Sequence, residues 1–253
     1  MKIGVIGTGE MGGTLACRWA AIGHSVRVAN SRGREAVRQF AAEIGAEPAD
    51  IYRAADGAEV VLLAMAYPAV ARLPKDLFDK AAKAVVIIDT SNYYPDVRDA
   101  RIPEVDAGTP ESVWISRQIG RPIFKAFNSV MFHTLSELGR PEGSPDRLAI
   151  PVAGDDARGK QVVMRLVDDM GFDPVDGGTL EESWRQQPST PAYACDYDAA
   201  VTRAGINAAI KGKAEKLRDV EWRQGYFKIY ANKPSHAQAH AAVVAMNRSF
   251  NPL

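Results

Sequence analysis

At 253 residues the chain is long enough for one large domain or a domain with a smaller appendage, and its 46% apolar and 25% charged content is that of a soluble globular protein. Its 31 basic residues balance 31 acidic ones, so no net field recommends nucleic acid or an anionic membrane as a partner. No apolar run approaches the ~18 residues of a membrane span, the first strand begins at Lys2 with no signal peptide before it, and Cys17 and Cys195 lie in no metal-ligand spacing, so no metal and a reducing, cytoplasmic setting are expected.

The chain opens on Lys2-Ile3-Gly4-Val5-Ile6, a short apolar run suited to a buried parallel strand. It runs directly into Gly7-Thr8-Gly9-Glu10-Met11-Gly12. Between a strand and a helix this spacing has a mechanical reading: Gly7 for the tight turn, Gly9 for close approach of a pyrophosphate, Gly12 for helix–strand contact. A helix is predicted from about Met11 to Ile22, with Met11, Leu15, Trp19 and Ile22 on one face and Cys17 as a small packing residue. Gly23 stops it, His24 reads as its C-terminal cap, and Ser25 to Val28 alternates as a second strand. The free amides and dipole at the helix start favour phosphate oxygens.

Past the second strand, the chain reads Asn30-Ser31-Arg32-Gly33-Arg34. An acid here would hold the ribose 2′-hydroxyl of NAD; its absence, with a hydroxyl and two guanidiniums instead, suits a 2′-phosphate. The expected cofactor is NADP(H). Glu35 to Ile44 reads as a helix stopped by Gly45, Asp50 to Ala55 as a short helix or turn, and Ala58 to Ala64 as a buried strand. The loop Met65-Ala66-Tyr67-Pro68 should then edge the cofactor, because ligands lie outside the carboxyl ends of such strands. Pro74 to Ala82 is predicted helical and Ala84 to Ile88 a strand, ending in a polar, aromatic loop with Asn92, Tyr93 and Tyr94 on the same edge.

Pro95 to Gly108 reads as an irregular excursion, Glu111 to Ile119 as a helix, and Pro122 to Phe127 as a strand with Asn128 and Ser129 at its tip. A strand from Leu148 to Val152, a helix from Gly154-Asp155-Asp156 to Met170 and an edge strand from Gly171 to Asp176 complete the alternation. The expected fold is α/β: an NAD(P)-binding Rossmann fold over residues 1–178, with a doubly wound, mostly parallel sheet. From Thr179 the alternation stops. Residues 179–253 read as a small, mainly helical C-terminal appendage, with helices from Asp196 to Trp222 and from Ser235 to Phe250, that covers the pocket or pairs subunits. Its Trp184, Tyr193, Tyr197, Trp222, Tyr226, Phe227 and Tyr230 are more aromatic surface than a small unit buries alone, so a homodimer is expected.

Four places together resemble the NADP oxidoreductases that use the deazaflavin coenzyme F420, and their bacterial relatives. They are the opening strand with Gly7 to Gly12, the Asn30-Ser31-Arg32 tip, Lys125-Ala126-Phe127-Asn128, and Pro151 to Asp156 followed by Gly171 to Asp176. The resemblance spans Met1 to Gly178 and implies hydride transfer between NADP(H) and coenzyme F420 as co-substrate. It also implies that Asn128 lies beside the nicotinamide. Such chemistry needs little acid–base help, since the cofactors carry it and the protein holds the two rings.

The candidate cofactor residues are therefore Gly7, Thr8, Gly9, Glu10, Met11, Gly12, Asn30, Ser31, Arg32, Arg34, Met65, Ala66, Tyr67, Asn92 and Asn128. Asn128 and Ser129 are the candidates for contacts near the reacting ring, with chain turning as the alternative role of Asn128. His133 either donates a proton to a carbonyl or imine substrate or is structural. His236 and His240, at i and i+4, read as a solvated helix face without a third metal ligand. Two other functions stay open: an NADPH-dependent reductase of a small carbonyl or imine, and a non-catalytic NADP-binding redox sensor. In each case the partner is a small molecule or a redox partner rather than nucleic acid or membrane.

Overall fold

A computed structural model describes all of residues 1–253. Its centre is a six-stranded, wholly parallel sheet in the order β3-β2-β1-β4-β5-β6. The strands are β1 (Lys2–Ile6), β2 (Ser25–Ala29), β3 (Glu47–Pro48), β4 (Val60–Leu63), β5 (Val86–Asp89) and β6 (Phe124–Lys125). The reversal of strand order beside β1 is the switch point at which such sheets open a ligand crevice. A second parallel pair, β7 (Ala149–Val152) and β8 (Asp173–Asp176), is joined to β6 by an antiparallel bridge between Lys125 and Ala153. Two apolar layers cover the sheet. One gathers Leu15, Trp19, Phe127 and Leu166, the other Leu63, Tyr67, Ile87 and Trp114.

The helices on the sheet are α1 (Glu10–Ala21), α2 (Arg34–Ile44), α3 (Ile51–Ala55), α4 (Tyr67–Val70), α5 (Pro103–Asp106), α6 (Glu111–Ile119), α7 (Phe132–Glu137) and α8 (Ala157–Asp169). Local chemistry sets several ends. Asp50 and Asp156 cap α3 and α8 by accepting from Arg53 N and Gly159 N. Gly45 and Gly120 end α2 and α6 in the left-handed conformation. Beyond β8 the chain is helical: a short 3₁₀ turn at Ser183–Gln186, α9 (Ala199–Ala208), α10 (Lys213–Leu217), α11 (Arg223–Tyr230) and α12 (His236–Phe250). α9 packs on β7 and β8 through Ala149, Val175, Ala192 and Ile206. Ser235 and Gln238 form a reciprocal capping box at the start of α12.

Several expectations are corrected. Pro74 to Ala82 is a run of turns, not a helix. Its bonds join Leu77 to Pro74, Asp79 to Asp76 and Ala81 to Phe78. The Arg121 guanidinium holds these turns by donating to the Phe78 and Ala82 carbonyls. Ile22 is half exposed, because it lies past the last turn of α1 as the C-cap. Cys17 is exposed rather than packed, since the buried stripe of α1 runs through Leu15, Ala16 and Trp19. The helix expected from Asp196 to Trp222 is two. Ala209 turns extended and Gly212 takes φ +83° between α9 and α10. The backbone then stays helical through a π segment at Arg218–Trp222 into α11, so the helix expected to end at Trp222 continues to Tyr230. The excursion at Pro95 to Gly108 contains the short helix α5.

Candidate functional site

The glycine loop Gly7 to Gly12 is shaped by contacts a side chain would break. Gly7 has φ +109°, and a Cβ there would lie 2.1 Å from the Ala64 carbonyl. A Cβ on Gly12 would lie 2.0 Å from the Gly7 carbonyl, so the helix can approach the strand only as glycine. Gly9 differs: a Cβ there would meet nothing within 4 Å. The space beside it, at the start of α1, is open. No side chain caps α1, so its first amides remain free for an anion.

Beside this loop lies a cavity of about 520 Å³. Its floor is Ile6 to Gly9, one wall is Asn30 to Arg32 at the tip of β2, and the opposite wall is Met65, Ala69, Arg72, Leu73 and Pro74 beyond β4. Asn30 shapes the first wall. Its Nδ2 donates to Thr8 Oγ1 (3.2 Å) and its Oδ1 accepts from the Arg32 amide (2.9 Å), a tight turn that fixes Ser31 and Arg32 at the rim. No Asp or Glu lines the cavity. Near the β2 wall, Glu35 pairs with Arg38 and Glu47 with Arg27 and Arg53, while Glu10, next to Gly9, points off the lining. Arg34 is not on the lining; its Nε donates to the Pro48 carbonyl (3.1 Å).

At the other end of the edge, the C-terminal segment sits on the tips of β5 and β6. Asn128 is buried, and its side chain is fully engaged. Nδ2 donates to Asn92 Oδ1 (3.1 Å) and the Gln186 carbonyl (2.8 Å), and Oδ1 accepts from Gln186 Nε2 (3.0 Å). Asn92 Nδ2 donates to the Asn128 carbonyl (2.9 Å) and the Tyr193 hydroxyl (3.3 Å). The Ala194 amide donates to the Ser129 carbonyl (2.7 Å), while Ser129 Oγ is buried without a hydrogen-bond partner. Phe127 enters this tip at φ +61°, a left-handed conformation costly for a bulky residue. The structure thus joins Asn92, Asn128 and Ser129.

Of the tyrosines on this edge, Tyr67 is buried, donates to the Glu111 carbonyl (3.0 Å) and stacks on Trp114 at 5.1 Å, so it packs the sheet. Tyr93 is also buried, its hydroxyl accepting from Ile102 N (2.8 Å), and burial pushes that phenol up to about 12. Tyr94 is half-buried. It bonds the Tyr193 hydroxyl and stacks on Trp222 at 4.7 Å; the stack continues to Tyr226 (5.0 Å), against which Tyr230 tilts at 4.5 Å. Tyr193 and Trp222 are buried by their own chain; Val220, Phe227 and Tyr230 remain exposed. Glu10, at the start of α1, is exposed, Met11 half-buried and Ala66 exposed.

The histidines fall elsewhere. His133 lies on α7 with its ring 4.8 Å from that of His240. His240 is not on a solvated face: its Nε2 bonds Asp196 Oδ2 (2.6 Å), which Thr134 also bonds (3.1 Å). His236 is edge-on to Phe132. His24 caps α1 by its backbone amide, which donates to the Trp19 carbonyl, while its ring bonds the N-terminal amine (3.0 Å). No cluster of His, Cys, Asp and Glu suited to a metal ion is present.

A buried ionic group supports the strand tips. Lys125 Nζ lies 3.3 Å from Asp89 Oδ2 and 3.6 Å from Glu111 Oε2 and donates to the Ser91 carbonyl. Asp89 also accepts from Ser91 and Ser112 hydroxyls (2.6 and 2.7 Å). Glu111 has no hydrogen-bond partner on either oxygen, and burial raises its carboxyl to about 7 against the pull of Lys125 and Arg218. The sequence signal for this group is a charge closing each apolar strand, Asp89 as the last residue of β5 and Lys125 as the last of β6. Arg72, Gln186 and Tyr193 carried no motif at all.

Residues 2–93 match the family described as NADP oxidoreductase, coenzyme F420-dependent. A 113-residue stretch is 44% identical to protein YjhV of Escherichia coli K12, covering 44% of this chain and 77% of that one. The hypothetical protein SMa0349 of Sinorhizobium meliloti superposes with a TM-score of 0.61 at 26% identity, over 74% of this chain and 90% of that one. A protein of Arthrobacter sp. FB24, provisionally named an F420-dependent NADP reductase, superposes at 0.59 with 24% identity, over 73% and 87%. No helix is long and apolar enough to cross a membrane.

Proposed function

Since the chain belongs to the coenzyme F420-dependent NADP oxidoreductase family, we propose that it transfers hydride between NADP(H) and a deazaflavin coenzyme. The observation that carries the nucleotide half is the acid-free cavity beside Gly7 to Gly9, rimmed by Ser31 and Arg32. An adenosine carrying a 2′-phosphate meets a hydroxyl and a guanidinium there and no opposing carboxylate. The space left above Gly9 and the uncapped start of α1 fit a pyrophosphate. When bound, the nicotinamide supplies the hydride chemistry.

The chain's own residues bind and orient. Gly7, Thr8, Gly9 and Met11, with the first amides of α1, hold the pyrophosphate; Ser31 and Arg32 hold the 2′-phosphate. Met65 and Asn92 border the ring end, with Asn128 acting through Asn92 and Ser129 held beside it by the bond from the Ala194 amide to its carbonyl. Residues 1–178 form the nucleotide-binding unit and 179–253 its cover. The stacked Tyr94, Trp222 and Tyr226, with Tyr230 tilted beside them, support a flat, conjugated partner on that side. The exposed Val220 and Phe227 support a homodimer.

The test is oxidation of NADPH followed in absorbance with the oxidised deazaflavin as acceptor, against a panel of small ketones and imines. Turnover with the deazaflavin alone is expected. Turnover only with carbonyls or imines, lost on His133→Ala, would replace the deazaflavin with a small substrate. Tight NADPH binding with no turnover on any acceptor would make the protein a redox sensor.

A further inference from the structure

The cavity carries a second cation that the glycine loop and the basic tip do not announce. Arg32 stands on the β2 wall and Arg72 on the wall beyond β4. β2 and β4 flank β1 on its two sides, so the two arginines face the same cavity from opposite sides of the phosphate loop. Tight turns hold the second wall: the Arg72 amide donates to Ala69 and the Leu73 amide to Val70 (both 3.1 Å). Both arginines are exposed and the lining offers neither of them a carboxylate. Asp76, the nearest acid in sequence to Arg72, accepts from the Tyr52 hydroxyl (3.0 Å).

Two unpaired guanidiniums lining one cavity make it favourable ground for an anion. The pyrophosphate does not serve, because its place is the floor at Gly9 and the start of α1. The adenine is neutral. A phosphate monoester carries close to two negative charges and three acceptor oxygens, enough for two guanidiniums at once. Resting on the NADP(H) reading above, we propose that Arg72 is the second ligand of the 2′-phosphate, the role the basic tip suggested for Arg34. Arg34 lies off the lining, with its Nε on the Pro48 carbonyl. Arg72 and Arg32 then close on the phosphate from two walls, and selection for NADP(H) over NAD(H) is shared between the β2 tip and the loop beyond β4.

The experiment is calorimetric titration of wild type, Arg72→Ala, Arg72→Lys and Arg34→Ala with NADPH, NADH, adenosine 2′,5′-bisphosphate and adenosine 5′-monophosphate. Thermal melts of each variant confirm folding. Arg72→Ala should weaken NADPH and the bisphosphate about tenfold and leave NADH and the monophosphate unchanged. Arg72→Lys should recover part of the loss, and Arg34→Ala should change none of the four by more than about twofold. Equal losses on NADPH and NADH would mean that Arg72 stacks on the adenine, and would overturn the proposal. So would no loss on any ligand, or a loss in Arg34→Ala as large as that in Arg72→Ala. If wild type itself fails to prefer NADPH, the NADP(H) reading falls, a result distinct from failure of Arg72 alone.

Discussion

Replacing Glu111 with Gln changes one buried charge and little volume, so its effect should depend on pH in a calculable way. Glu111 is fully buried and its carboxyl stands at about 7 rather than its ordinary 4.5, because removal from water outweighs Lys125 and Arg218. Between those two values the folded protein binds a proton that the unfolded chain releases. The stabilisation from the protonated form is therefore complete below about pH 4.5 and lost as pH rises through about 7. With each pKa unit worth about 1.4 kcal/mol, the loss is ~3 kcal/mol. Glutamine stays neutral throughout. The stability of wild type minus that of Glu111→Gln should thus fall by ~3 kcal/mol between pH 4.5 and 8. Urea unfolding of both proteins across that range, followed by tryptophan fluorescence, measures it. A difference constant with pH, or one that rises, would show that Lys125 and Arg218 match or outweigh the cost of burial.

Gly9→Ala should keep the fold to within about 1 kcal/mol, since its Cβ meets nothing, yet weaken NADPH; Gly12→Ala should cost about 3 kcal/mol, its Cβ falling 2.0 Å from the Gly7 carbonyl. Melting and binding of both variants check the contrast, and equal melting points would refute it. Asn128→Ala removes three side-chain hydrogen bonds, two to Gln186 of the C-terminal segment and one to Asn92 at the neighbouring strand tip, and should cost roughly 2–4 kcal/mol with faster proteolysis of that segment; a cost under about 1 kcal/mol would mean the segment is held elsewhere. Sedimentation should give twice the chain mass, falling to one chain mass on Phe227→Glu; a wild-type monomer at all concentrations would remove the dimer.

The parts legible in the sequence are those governed by local rules. β1, the glycine turn and α1 follow from an apolar run, three glycines and a helical stripe, and the observed α1 differs by one residue at each end. Asp50, Asp156 and Ser235 announced helix starts by chemistry that operates within three residues. What failed depended on distant partners. Pro74 to Ala82 has helical composition, but its amides close separate three-residue turns that Arg121, some forty residues on, holds through the Phe78 and Ala82 carbonyls. His240 looked solvated because nothing near it in sequence reveals Asp196. The site divides the same way. The phosphate loop and the Asn30-Ser31-Arg32 tip are contiguous and readable, whereas Arg72 enters the cavity only because β4 lies beside β1. Asn128 was found as a strand-end residue, but its engagement with Gln186 spans 58 residues of sequence and follows from no motif.

The most direct measurement is the affinity of wild type and Arg32→Ala for NADPH and NADH, by calorimetry or by fluorescence of the reduced nicotinamide. A charge-assisted hydrogen bond to phosphate contributes ~1.5–3 kcal/mol. Wild type should therefore prefer NADPH, and Arg32→Ala should weaken NADPH by roughly 10–100-fold while leaving NADH nearly unchanged. Wild type that holds NADH as tightly as NADPH, or an Arg32→Ala that loses both equally, would contradict the 2′-phosphate assignment on which the functional account stands.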